Sequence, residues 1–234
     1  MEHVDGEILR DADRLASRGA DAVRDLVFAL VDTLADLHSL DPAAIGLADF
    51  GRPDGFNARQ VRRWKQQLDA SRSREVPGID ELHARLAENV PEGGSAVVHG
   101  DFRLDNVLIG PGDRIAAVLD WEMSTLGDPL GDLALMLVYA GRPMLTRNGE
   151  QFSAINVTGH PSTIEMSARY TRRLGKDIDN LHWYIGFAAF KLAVIIEGVH
   201  YRYVQGQTVG DGFDTIGAMV GPLVAQGHEA LGGD

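Results

Sequence analysis

At 234 residues, 44% of them hydrophobic, the chain can form one large domain, or one domain and part of another. It contains no cysteine, which excludes disulfides, thiolate zinc sites and cysteine nucleophiles. A net charge of −12 argues against a nucleic-acid partner, because phosphate backbones need a basic face; it suits a solvated acidic surface or a cationic substrate.

The first residues, Met1-Glu2-His3-Val4-Asp5, are acidic and lack the apolar stretch of a secretory signal. Val23, Val27, Leu30, Leu34 and Leu37 recur at helical spacing, so a long helix is expected from about Ala22 until Pro42 ends the pattern. A loop rich in Gly, Pro and Asp follows over Asp41–Asn57. Two more helices are expected, over Ala58–Ser71 and Ile79–Asn89. The texture then changes. Ser95–His99 reads as a strand, and Val107–Ile109 and Ile115–Leu119 flank Gly110-Pro111-Gly112-Asp113 as a hairpin. Helices resume near Asp132–Ala140, Ser162–Leu174, Asn180–Val204 and Phe213–Leu231. The longest apolar candidate, Trp183–Val199, contains Lys191 and Glu197 and reads as a buried helix rather than a membrane span. The outline is α+β, mostly α, with no membrane partner and a cytoplasmic location expected.

The hairpin is flanked by acidic and amide side chains: His99-Gly100-Asp101-Phe102-Arg103-Leu104-Asp105-Asn106 before it, and Leu119-Asp120-Trp121-Glu122 after it. Phosphoryl transfer needs a carboxylate to receive the proton of the attacking hydroxyl, oxygen ligands for Mg²⁺, and positive charge at the transferred group. Because Mg²⁺ keeps several waters, one or two protein ligands suffice. Asp101 fits the base, Asn106 and Asp120 the metal ligands, and Arg103 the phosphate contact. A salt bridge from Arg103 to a neighbouring carboxylate is the alternative.

The pattern H-x-D-x-x-x-x-N, followed by a hairpin and an Asp, resembles the kinase catalytic loop. With Gly127-Asp128-Pro129 and Asp132-Leu133-Ala134 after it, the chain resembles the aminoglycoside phosphotransferase and choline kinase family. The wording Asp-Trp-Glu-Met-Ser-Thr-Leu-Gly-Asp-Pro over 120–129 is similar to the kinase-like domain attached to some acyl-CoA dehydrogenases. Arg62-Arg63-Trp64, Phe190-Lys191-Leu192-Ala193 and Glu197-Gly198 fit the same subgroup. The resemblance implies the C-terminal lobe of a protein-kinase-like fold with a small β-hairpin at the active site. It implies Asp101 as base, Asn106 and Asp120 as ligands of Mg²⁺ and thereby of ATP, and His99 and Asp132 as structural supports of the loop. Residues 1–6 would be a remnant of the interlobe hinge, with Glu2 and Val4 touching adenine through backbone groups. Residues 7–234 would be the catalytic and acceptor-binding lobe. The N-terminal nucleotide lobe is expected to be absent: Lys65, Lys176 and Lys191 all follow the hinge, and no G-x-G-x-x-G occurs. An exposed hinge edge would favour a homodimer or a covering partner.

Other polar residues have plainer readings. Asp49-Phe50-Gly51 precedes the catalytic loop, so it reads as a turn rather than a metal motif. Asp105 reads as a loop cap, and Glu122 as either a site residue or a solvated one. His38 reads as packed or capping, and the remaining histidines lack ligand spacing. Trp64, Trp183, Tyr184, Phe187 and Phe190 read as packing residues. Glu165, Asp211 and Asp214 are placed for an acceptor site only by their position in the chain. The function expected is an ATP- and Mg²⁺-dependent phosphotransferase acting on a small-molecule hydroxyl: aminoglycoside-like, choline-like or a hydroxyacyl thioester. The alternatives are a non-catalytic pseudokinase-like scaffold and, more distantly, a metal-dependent hydrolase using His99, Asp101 and Asp120.

Overall fold

The computed structural model describes residues 3–9, 12–141, 143–145, 151–153, 156–209 and 212–232. They form two compact units. The first comprises 1–53, 94–144 and 151–179; the second comprises 54–93, 145–150 and 180–234.

The first unit is built on α2 (Ala20–Ser39). Its buried Val23, Leu26, Val27, Leu30, Val31, Leu34 and Ala35 form one apolar stripe at helical spacing. A short helix, α1 (Ala12–Ala16), precedes it, which the sequence pattern did not reveal. Against α2 lies α6 (Thr163–Leu174). Two bidentate ion pairs join them, Arg169 to Asp32 at 2.7 and 2.6 Å and Arg173 to Asp36 at 2.7 and 2.9 Å. Ser162 and Glu165 cap α6 reciprocally, and Glu165 also pairs with Arg24 at 2.6 Å. These bonds hold the Glu165 carboxyl down to about 2, with the Arg24 hydrogen bond the largest cause. Glu165, placed near an acceptor site only by its position in the chain, is engaged in helix capping and in the pair with Arg24. Asp214 is exposed, and Asp211 lies outside the described residues.

Two antiparallel ribbons carry the loop residues. Strand β1 (Ala96–Val98) pairs with β4 (Thr125–Gly127), which the sequence did not suggest. The expected hairpin is β2 (Val107–Gly110) and β3 (Arg114–Val118), with Val107 opposite Val118. Upstream, Glu7 exchanges two backbone hydrogen bonds of 2.9 Å with Ile109, attaching the first residues to the hairpin. Helix α5 (Pro129–Ala140) follows β4 and starts three residues earlier than the apolar pattern implies. The cause is local: Asp128 Oδ1 caps the Leu130 amide at 3.0 Å and Pro129 occupies the first turn. Asp128 Oδ2 also accepts from the Gly94 amide at 3.1 Å. Gly51 makes a close approach to β4: a Cβ there would sit 2.4 Å from Thr125 Oγ1. Asp49-Phe50-Gly51 is thus a loop against that strand. Strands β5 (Pro143–Leu145) and β6 (Gln151–Ser153) were also not anticipated.

The second unit is helical: α3 (Phe56–Ser71), α4 (Ile79–Glu88), α7 (Leu181–Val204) and α8 (Val220–Ala230). Trp183, Tyr184, Phe187 and Phe190 are buried, Trp183 stacking on Phe187 and donating to the Leu86 carbonyl at 3.1 Å. Trp64 packs beneath Lys191, whose Nζ is 5.6 Å from the ring centroid. Glu197 is fully buried and is neutralised by Arg74 at 3.0 and 3.1 Å, with Ser73 at 3.2 Å. By length and composition α7 is apolar enough to cross a bilayer, yet 67% of its most apolar window is buried within the protein. The last helix starts at Val220 rather than Phe213, after a 3-10 turn over Ile216–Met219.

Candidate active site

Between β1 and β2 the chain turns sharply, and Gly100 makes the turn possible. Its φ is +88°, and a Cβ there would lie 2.9 Å from both Cβ and O of Met123. Both ring nitrogens of the buried His99 are used: Nε2 is 2.8 Å from the Leu119 carbonyl, and Nδ1 is 3.2 Å from the Asp101 amide. A neutral ring carrying its proton on Nε2 satisfies both bonds. The ring therefore ties the loop over 99–106 to the end of β3.

The loop is also held from below. Asp132, in the first turn of α5, accepts from the His99 amide at 2.6 Å and from the Gly100 amide at 2.8 Å. His38 Nε2 lies 3.4 Å from the same carboxylate, and His38 Nδ1 is 2.7 Å from the Tyr170 hydroxyl. Burial alone would push the Asp132 carboxyl up, but the hydrogen bond and charge of His38 and the two amides outweigh it and hold it below its ordinary value. Burial pushes the Tyr170 hydroxyl upward.

Asp101 is half-buried, and both of its carboxylate oxygens are engaged. Asn106 Nδ2 donates to Oδ2 at 3.1 Å and to the Asp101 carbonyl at 2.9 Å. The Tyr139 hydroxyl donates to Oδ1 at 3.2 Å. Burial, then the Asp101 charge, pushes the Tyr139 phenol well above its ordinary value, so it stays protonated as a donor. Arg103 is paired with carboxylates: Nη2 is 3.1 Å from Asp105 and Nε is 3.7 Å from Asp101, with the guanidinium 5.2 Å over the Tyr139 ring. Asp105, expected as a cap, is instead an ion-pair partner of Arg103.

The hairpin brings the two oxygen-donor candidates together. Asn106 closes a 3-10 turn (Leu104–Asn106), and its carbonyl accepts from the Leu119 amide at 2.8 Å, next to Asp120. With Asn106 Nδ2 committed to Asp101, its Oδ1 remains as a hard oxygen donor. Asp120 is exposed and adopts a left-handed backbone, φ +64° and ψ 53°. Few non-glycine residues sit there, and such strain concentrates at functional positions. Among the described residues no group of three or more His, Asp or Glu side chains is arranged to hold a metal. Glu122 is exposed, Val4 is half-buried in the segment leading to Glu7, and Glu2 lies outside the described residues.

The phosphotransferase enzyme family pattern matches residues 1–163. The chain belongs to that family. It is 39% identical to acyl-CoA dehydrogenase family member 11 of Gallus gallus over 98% of this chain and 30% of that protein. The human protein of the same name is 36% identical over 97% of this chain and 30% of its own length. The chain thus spans about a third of these relatives. Among solved structures, a candidate aminoglycoside phosphotransferase of Ralstonia eutropha JMP134 matches with a TM-score of 0.86 and 30% identity, covering 99% of this chain and 71% of that one. A Plasmodium vivax ethanolamine kinase shares the fold at a TM-score of 0.60 and 15% identity, covering 96% and 63%. The family's protein-kinase-like fold is the one expected from the sequence.

Sequence reasoning missed three side chains at this site. Tyr139 sits in the apolar run Leu137-Val138-Tyr139-Ala140 and resembles a core residue. Its signal was its spacing: seven residues after Asp132, two helical turns, it shares the face of α5 that meets the catalytic loop. His38 and Tyr170 reach the loop only through the packing of α2 and α6, and no local pattern marks them.

Proposed function

We propose that this chain is the catalytic lobe of an ATP- and Mg²⁺-dependent kinase that phosphorylates a hydroxyl group of a small molecule. The observation that supports it most is the placement of Asp101: a carboxylate oriented by Asn106 and Tyr139, on a loop whose next ordered turn carries Asn106 beside Asp120. The Asn106 amide oxygen and the Asp120 carboxylate are hard donors that suit Mg²⁺. Bound there, the ion would supply positive charge to the ATP phosphates. Asp101 takes the proton of the acceptor hydroxyl while its oxygen forms a bond to the γ-phosphorus. The bond from that phosphorus to the bridging oxygen breaks, and ADP leaves. His99 and Asp132 keep the loop in this geometry.

Lys65 and Lys191 lie on helices and Lys176 in the turn after α6, so we assign the cover over the triphosphate to a separate lobe. The acceptor is aminoglycoside-like, choline-like or a hydroxyacyl thioester; the names of the curated relatives favour the thioester. The test is transfer of label from γ-labelled ATP, with and without EDTA, by the protein isolated from its own cells. Kanamycin, choline and a hydroxybutyryl thioester serve as acceptors. Mg²⁺-dependent label on one acceptor supports the reading. Absence of label and of ADP formation with all three contradicts it and favours a non-catalytic scaffold.

A further inference from the structure

We infer that Tyr139 is a positioning residue for phosphoryl transfer, its hydroxyl fixing the rotation of the Asp101 carboxylate so that the base meets the acceptor hydroxyl. The inference rests on the proposed kinase function and extends it to a residue outside the catalytic loop. A carboxylate on a loop rotates about its last side-chain bond unless both oxygens are engaged. Asn106 engages Oδ2 at 3.1 Å, and Tyr139 supplies the only hydrogen bond to Oδ1 among the described residues, at 3.2 Å. Without it, only Oδ2 would be held, by Asn106 and by the Arg103 charge at 3.7 Å, and Oδ1 would swing through the space the hydroxyl must occupy. A small misplacement of a reacting group costs heavily in rate, because productive geometry is narrow.

The phenol is itself immobilised. Tyr139 lies two helical turns after Asp132 on α5, and Asp132 is bonded to the amides of His99 and Gly100. One helix face therefore fixes both the backbone of the loop and the side chain of its base. Arg103 lies over the ring at 5.2 Å while pairing with Asp105, which adds a further restraint on the ring. The Arg103 Nε is buried without a hydrogen-bond partner, so the stacked arrangement is maintained by packing and charge rather than by a bond from that atom.

The test compares Tyr139→Phe with the native protein. The ring, its packing and the Arg103 stacking remain, and one oxygen is lost. Turnover is measured as transfer from γ-labelled MgATP to kanamycin, choline and a hydroxybutyryl thioester, each in turn. The melting temperature and the KM for MgATP are measured alongside. A fall in kcat of about 10- to 100-fold is expected, as for loss of a hydrogen bond to a charged group, with KM within twofold and the melting temperature within about 2 °C. An unchanged kcat overturns the inference. So does a fall in kcat accompanied by an equivalent fall in melting temperature, which would mark a structural role. Asp101→Ala separates the two levels: if it retains turnover, the kinase reading fails; if it is inactive while Tyr139→Phe is normal, only the role of Tyr139 fails.

Discussion

Replacing Asp132 tests whether the catalytic loop is held by the group beneath it. In the native protein this carboxylate accepts from two backbone amides at 2.6 and 2.8 Å and faces His38 Nε2 at 3.4 Å. Asp132→Ala leaves both amides and the His38 ring nitrogen without their partner. At about 1–3 kcal/mol for each of the two buried groups left unsatisfied, the His99 amide and the His38 ring nitrogen, the loss should be about 2–6 kcal/mol, a large share of a typical domain's stability. Asp132→Asn keeps the shape, but its single oxygen serves one amide while its NH₂ opposes another donor; about 2–3 kcal/mol is expected. Urea denaturation reads both values. Turnover of Asp132→Asn under folding conditions should fall as well, because Gly100 and Asp101 lose their anchor. The native protein should also show the Asp132 contribution in its pH dependence. Its folded carboxyl is held below the ordinary 3.8, so the stabilisation is complete above that pH and is lost as the pH falls further. Asp132→Asn should lack that component. A cost below about 1 kcal/mol for Asp132→Ala would show that the loop does not depend on this carboxylate, since the buried His99 amide and His38 ring nitrogen cannot both lose it so cheaply.

Gly100→Ala should destabilise the loop by about 2 kcal/mol or more by denaturation, because the new Cβ combines a left-handed φ of +88° with contacts of 2.9 Å to Met123. Asn106→Ala and Asp120→Ala should each weaken Mn²⁺ binding at least tenfold, read by the electron paramagnetic resonance signal of the free ion; unchanged affinity in both would remove them as ligands. Ser162→Ala should cost about 1 kcal/mol through loss of the cap on α6, measured by thermal unfolding.

The candidate site was legible in the sequence where its residues lie close together along the chain. His99, Asp101, Asn106 and Asp120 fall within one loop and one hairpin, so their spacing carried the site. Gly110, Pro111 and Gly112 placed the hairpin turn, and Pro42 the end of the α2 pattern. What was hidden depends on packing. Strand β4 is only three residues long, and its pairing with β1 spans a gap no local pattern bridges. The early start of α5 follows from a cap and a proline that precede its apolar run. His38 and Tyr170 come from helices distant in sequence and meet Asp132 only after α2 and α6 pack. Tyr139 was obscured by its neighbours: in a helix buried nearly all round, one hydroxyl among apolar residues reads as core. Arg103 and Asp105 were legible as charges but not as partners, since rotamers decide which carboxylate an arginine meets.

The proposed role of Asp101 as the base in phosphoryl transfer is tested by a single substitution. The native protein and Asp101→Ala should be compared for transfer from γ-labelled ATP, after circular dichroism has established that both are folded. Loss of a positioned general base should lower the rate by about 10²- to 10⁴-fold while MgATP binding persists. Transfer at the native rate by a folded Asp101→Ala protein would mean that Asp101 is not the base.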